Sequence, residues 1–237
     1  MIASELVIYT LILLLSFNVL GLVVSFLPFL FKSLHKYRIQ NKRPDAQVFY
    51  KRLPLIGINV VSLALISSLG LYGLFPLFDA SMKFDVLTIL WQVMVVLLID
   101  DLWFYFLHRW MHRNKKMLKM VHSIHHRAFS PLALEYIYVH PAEWLLGYIG
   151  PFVGMMLVAS ISPISIWGFW IYQAIRNLHE IDVHSGFRSL FSQWIPFWGE
   201  NEHHDLHHEK LDGNYATTFT HWDYIFKTKM KKPDRKK

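Results

Sequence analysis

Three apolar runs, residues 6–31, 53–78 and 86–107, are each long enough to cross the hydrocarbon core of a bilayer as a helix. In lipid, every backbone N–H and C=O must be satisfied within the spanning structure. The alternating pattern of barrel strands does not appear, so these runs are restricted to α-helix. A fourth run, residues 144–175, is too long for one simple crossing and carries Gly150-Pro151 and Ser162-Pro163. It reads as a helical hairpin that enters and leaves on the same side. Hydrophobic residues make up 54% of the chain and charged residues 17%, a balance unlike that of an ordinary water-soluble domain. No basic segment precedes the first run and no small-residue cleavage site closes it, so it reads as a retained helix rather than a cleaved signal.

Charge sets the orientation. The segment after the first span contains Lys32, Lys36, Arg38, Lys42, Arg43, Lys51 and Arg52 against one acid, Asp45. The next loop, residues 79–85, has only Lys83 with two acids. The positive-inside rule places the first of these in the cytosol. The third span then returns to the cytosol near His108, among Arg109, Arg113, Lys115, Lys116 and Lys119. The formal charge of +7 also fits nucleic-acid binding, but the basic residues flank apolar spans and no recognition motif accompanies them. Anionic lipid headgroups are the better partner. There is no internal repeat beyond the histidine motifs and no long linker. The expectation is a single membrane domain over 1–237, with anchor helices in 1–100, a chemistry-bearing region in 101–226 and a solvated basic tail in 227–237.

That region is marked by histidine. Ten of the fourteen histidines fall into clusters: H-R-W-M-H at His108 to His112, H-S-I-H-H at His122 to His126, H-E-I-D-V-H at His179 to His184, and H-D-L-H-H at His204 to His208. A helix brings residues three or four apart onto one face, so each cluster aims two or three imidazoles in one direction. Packing has no reason to repeat that arrangement, although an isolated histidine such as His35 reads as ordinary structure. His122 and His126 share a face with His125 beside them, and His204, His207 and His208 repeat the geometry. Adjacent histidines diverge by about 100°, so a triplet can serve two neighbouring ions. Asp101, on the face of His108, is expected to accept the second imidazole proton of a ligand histidine. With no cysteine there are no disulfides, and thiolate zinc sites are excluded. An all-nitrogen ligand set suits iron working with O2, and zinc would also bind.

The order of H-R-W-M-H, H-S-I-H-H, Val183-His184-Ser185-Gly186-Phe187 and H-H-D-L-H-H, then Asn214-Tyr215 and Phe219-Thr220-His221-Trp222-Asp223, resembles the fatty acid hydroxylase superfamily. Within it the sterol branch is most similar: sterol C4-methyl oxidases, sterol C5-desaturases and cholesterol 25-hydroxylase-like enzymes. The resemblance covers residues 101–226. It implies an all-α integral membrane protein of about four to five membrane helices, with a cytosolic histidine-rich helical cap holding a dinuclear metal site. It further implies a monooxygenase with two iron ions that inserts one atom of O2 into an unactivated C–H bond of a sterol or other lipid. Carried over residue by residue, it implies His108, His112, His122, His125, His126, His184, His204, His207 and His208 as ligands. His179 stands where members vary, which leaves it a candidate tenth ligand outside the nine. His140 lies in a segment, residues 135–143, whose spacing departs from the family element, and is a candidate ligand, ligand support or pocket residue. His203 and His221 are assigned to support of the ligands or of the fold. Lys227 stands where the family usually has glycine.

Each turnover of such an enzyme needs two external electrons, and no flavin or nucleotide fingerprint is present in the chain. A separate cytochrome b5-like or ferredoxin-like donor is implied, and the basic surface from Arg109 to Lys119 suits an acidic partner as well as it suits lipid. The membrane would be the endoplasmic reticulum in a eukaryote and the inner membrane in a bacterium. The competing functions are a lipid desaturase of the same superfamily and, from another class, a non-catalytic membrane metal-binding or transport protein. The first two spans offer few polar residues for an ion path, and retention of every histidine motif argues against loss of the metals.

Overall fold

The computed structural model describes residues 1–40, 42, 44–189, 191–192, 194–195 and 197–231. Arg43 and the basic tail beyond Lys231 lie outside the described residues. The chain is helical, with no strand among the described residues and only isolated bridges between loops. The long helices are α1 (Ala3–Leu30), α2 (Ala46–Leu74) and α3 (Val86–Arg113). Short elements follow: α4 (Lys115–Met117), a π-helical turn (Leu118–His122), α5 (Ser123–His126) and a 3-10 turn (Ala133–Ile137). Then come α6 (Pro141–Gly147), α7 (Ile149–Ala159), α8 (Ile166–Val183), α9 (Asn201–Lys210) and α10 (His221–Ile225).

Four segments are long and apolar enough to cross a bilayer: Ala3–Leu30, Ala46–Leu77, Val86–Arg113 and Pro141–Ala159. The residues of α1 that are buried recur every third or fourth position, from Leu6 through Leu14 and Gly21 to Pro28. Between them Ile8, Ile12, Val19 and Val23 stay exposed. A helix that is apolar on its outer face as well is suited to lipid and not to water. The chain is an integral membrane protein.

The two poles differ in chemistry. At one, the Met1 amine donates to the Ala80 carbonyl, and Asp79 and Ile164 join the α2–α3 loop to the α7–α8 turn (Asp79 N to Ile164 O, Ile164 N to Leu77 O, both 2.8 Å). At the other, all four histidine clusters gather on the ends of α3 and α8 and on α5 and α9. The hairpin expected in residues 144–175 is therefore present as α6–α7 descending and α8 returning. Its turn is made by Ser162-Pro163, held by Gln92, which donates to Pro163 O at 2.9 Å and accepts from Ser165 N at 2.8 Å. Gly150-Pro151 does not reverse the chain: α6 and α7 part only at Tyr148, and Pro151 lies in the first turn of α7, where a missing N–H costs nothing. Gly150 and Gly154 instead let α7 approach α3: a Cβ on Gly154 would lie 3.0 Å from Val96 Cα, and one on Gly150 3.0 Å from Asp100 Cα.

Two residues of the basic loop are part of the fold. Arg38 is 6% exposed and donates to Ser130 Oγ and Pro131 O, tying that loop to the histidine cap. Arg52 pairs with the buried Glu135.

Candidate metal centre

The histidines reach the site from five elements. His108 and His112 are one turn apart on the last turns of α3, which runs unbroken beyond the apolar span. After the cap at Asn114, the π-helical turn widens the backbone just before α5. His122 and His126 then face α3 while His125 faces the other way. His184 ends α8, and α9 supplies His204, His207 and His208.

Nine histidines meet in two groups: His108, His112, His122, His126 and His207 in one, and His125, His184, His204 and His208 in the other. Within each group the ligating nitrogens all lie within 4.8 Å of one another. Each triplet divides between the groups, with His125 turned away from His122 and His126, and His207 turned away from His204 and His208.

Hydrogen bonds fix the tautomers. Nδ1 of His108 donates to Tyr215 O at 2.7 Å, that of His207 to Gly213 O at 2.8 Å, that of His184 to Glu180 O at 3.0 Å and that of His122 to Glu143 Oε1 at 2.8 Å. A carbonyl or carboxylate only accepts, so these Nδ1 atoms carry the proton and the matching Nε2 atoms are bare lone pairs. Yet Nε2 of His108 and His122 are 3.1 Å apart, and Nε2 of His122 is 2.9 Å from those of His112 and His126. In the second group, Nε2 of His204 stands 3.0 Å from that of His184 and 3.1 Å from that of His208. Nε2 of His207 is buried without a partner. Converging lone pairs repel unless a cation lies among them. Nitrogens bound at about 2.1 Å to one ion at right angles would be about 3 Å apart. The residues present fit a pair of metal ions.

Burial also keeps these groups neutral. It pushes the pKa of His125 down to about 3 and that of His184 to about 4, and lowers His204, His207 and His208 well below the ordinary value, with neighbouring imidazoles adding to the effect in His125 and the α9 histidines. Neutral imidazole is the ligating form.

The other expected residues lie outside the two groups. Asp101 does not touch a ligand histidine. Its carboxylate accepts from Thr218 N, Phe219 N and Trp222 Nε1 at 3.1, 3.2 and 2.7 Å, because its side chain lies two turns from His108 beside the C-terminal segment. The part expected of Asp101 is taken by Glu143, which sequence spacing did not mark. His203 Nε2 is 3.1 Å from Asp223 Oδ2. Asp223 also accepts from Tyr215 N and Ala216 N, so it holds the turn whose carbonyl orients His108. His221 lies tilted against Trp222, with ring centroids 4.1 Å apart. His179 is fully buried edge-on to Trp198. His140 caps α6, its Nδ1 accepting from Ala142 N at 3.1 Å. His35 lies 2.7 Å from the Pro28 carbonyl that ends α1, an ordinary structural role.

A cavity of about 410 Å³ runs into the bilayer region from the histidines. His108, His122, His125, His184 and His204 form its floor, and Leu63, Ser67 and Leu74 of α2 form part of its apolar wall. From Leu63 to Leu74 that wall is about 16 Å long. Thr10 of α1 lines it as well, so the first two helices are part of the chamber as well as of the anchor.

The sequence profile of the fatty acid hydroxylase family matches residues 93–228, more than half of the chain. The chain belongs to that family. The matched stretch contains all nine histidines of the two groups. Methylsterol monooxygenase 1 of Rattus norvegicus is 33% identical over 219 residues, covering 90% of this chain and 72% of the relative. Methylsterol monooxygenase 1 of Danio rerio is 32% identical over 215 residues, 88% of this chain and 71% of the relative. A putative methylsterol monooxygenase of Dictyostelium discoideum is 30% identical over 222 residues, 89% of this chain and 78% of the relative. No solved structure matches the chain.

Proposed function

We propose that this member of the fatty acid hydroxylase family is a membrane sterol monooxygenase that oxidises a methyl carbon of a methylsterol. The observation that carries the reading is the meeting of two all-imidazole groups at the floor of an apolar cavity inside the bilayer region. The methylsterol monooxygenase relatives support it. The reaction balances as R–CH3 + O2 + 2 electrons + 2 H+ giving R–CH2OH + H2O.

His108, His112, His122, His126 and His207 would hold one iron, and His125, His184, His204 and His208 the other. Iron bound there supplies the activation of O2 and the oxidising power for the C–H bond. The chain does the rest. Glu143 and the carbonyls of Gly213, Tyr215 and Glu180 keep four imidazoles in the ligating tautomer. Burial of the cap excludes bulk water from the reacting carbon, and the cavity admits a hydrocarbon body from the bilayer. His179 and His140 are outside the proposed ligand set, since neither falls within the two groups.

The chemistry-bearing region is residues 101–226, and the site faces the cytosol by the charge asymmetry of the loops. The two electrons come from a separate carrier of the cytochrome b5-like or ferredoxin-like kind. Zinc would also bind these nitrogens without supporting turnover. Membranes containing the wild type, a donor system and a methylsterol under 18O2 test the reading, beside a His204→Ala/His207→Ala/His208→Ala variant. One 18O atom in the product of the wild type alone is the expected result. A new double bond without 18O would make the enzyme a desaturase.

A further inference from the structure

Between the histidines and the apolar body of the cavity lies a belt of polar side chains that metal binding does not explain. Tyr172, Gln173, Arg176, Asn177 and Glu180 recur at three- and four-residue spacing on α8, and all five line the cavity. Most are paired within the protein. Arg176 Nε is 2.7 Å from Asp100 Oδ2, and its Nη1 donates to Glu180 Oε1 at 2.8 Å. The Tyr172 hydroxyl donates to Asp100 Oδ2 at 2.8 Å, and the Tyr136 hydroxyl to Asn177 Oδ1 at 3.2 Å. The Tyr136 ring is 6.3 Å from that of His184, so the belt begins at the metal groups.

Two groups stand apart. The Tyr148 hydroxyl and the Gln173 side-chain amide line the same cavity and make no hydrogen bond among the described residues. Tyr148 sits level with the belt, because Gly147 and Gly150 on either side of it pack on Phe104 and Asp100 of α3. A polar group facing an apolar chamber without a partner is costly until a ligand supplies one. A hydroxyl and an amide can each both donate and accept, which matches an alcohol. The charges narrow the choice further. Arg176, the guanidinium of the belt, already lies against two carboxylates, those of Asp100 and Glu180. An anionic head would find no unpaired cation in this belt, whereas a neutral hydroxyl needs none.

We infer that this belt recognises a neutral alcohol on the lipid substrate, with the Tyr148 hydroxyl and the Gln173 amide as its hydrogen-bond partners. The alcohol end of the molecule then lies next to the metal groups and its hydrocarbon extends along α2 toward Leu74. This rests on the sterol oxygenase reading, since a sterol is an alcohol.

The test is equilibrium binding to the full chain in nanodiscs, with a radiolabelled methylsterol, the same lipid lacking its hydroxyl, and its sulfate ester. Wild type is expected to bind the alcohol about tenfold more tightly than either analogue, the size of one or two hydrogen bonds. Tyr148→Phe removes a hydroxyl with no partner in the fold, so folding is unaffected. It should lower alcohol binding toward that of the deoxy lipid and leave the deoxy lipid unchanged, and Gln173→Leu should do the same. Equal binding of alcohol and deoxy lipid by wild type, or a preference that survives in both variants, overturns the inference. Turnover separates the two claims: alcohol preference without 18O incorporation refutes the oxygenase and supports the belt. Equal 18O incorporation into alcohol and deoxy lipid leaves the oxygenase and refutes the belt.

Discussion

His122 uses both of its ring nitrogens. Nδ1 donates to Glu143, and Nε2 converges with those of His108, His112 and His126. Glu143→Gln keeps the shape but replaces the carboxyl group that orients the ring with an amide. Metal affinity of the first group should fall about tenfold to a hundredfold while the protein stays folded, as elemental analysis of dialysed protein would show. The histidines themselves were legible because three- and four-residue spacing on a helix is a local property. Glu143 was not, because it comes to His122 from another helix, 21 residues away. Asp101 was half legible: its helical face followed from spacing, but what packs on that face is decided by the fold. Lys227 has φ of 55°, in the left-handed region that favours glycine, which accounts for the glycine that the family resemblance implies there. Lys227→Gly should stabilise the protein by about 1 kcal/mol, measured by thermal or denaturant unfolding in detergent.

Among the elements, the hairpin of α6–α7 and α8 decides whether the cavity exists. Its presence was legible from the length of the apolar run, whereas the role of its breakers was not: Ser162-Pro163 turns the chain, and Gly150-Pro151 serves a helix contact. The tight contact lies at Gly154, 3.0 Å from the Val96 backbone for any added Cβ. Gly154→Leu should therefore cost about 1–3 kcal/mol of stability through overpacking. Gly57→Ala on α2, where an added Cβ meets nothing within 4 Å, is the control and should be neutral or mildly stabilising. Equal thermal midpoints for the two variants would contradict this account of the α3–α7 interface. The π-helical turn ahead of α5 had no sequence signal, since its extra residue follows from how the two groups must divide His122, His125 and His126.

For the whole molecule, the apolar spans place the chamber in lipid and the cap closes its floor with buried neutral imidazoles. That arrangement makes the metal-free protein acid-sensitive. His125 and His184 have folded-state pKa values near 3 and 4, below the ordinary 6.5, so the unfolded chain takes up protons that the folded chain refuses. The stability of the metal-free protein should be full above about pH 6.5 and fall progressively toward pH 4, read as the thermal midpoint against pH. Bound metal should raise that midpoint, because it binds the folded state alone. The central claim is that nine histidines from five elements form one dinuclear centre. Its most direct test is the iron content of protein purified from iron-replete cells, measured per chain by elemental analysis. Two irons per chain are predicted, and a fully folded protein that holds one metal ion or none after iron loading would contradict the claim.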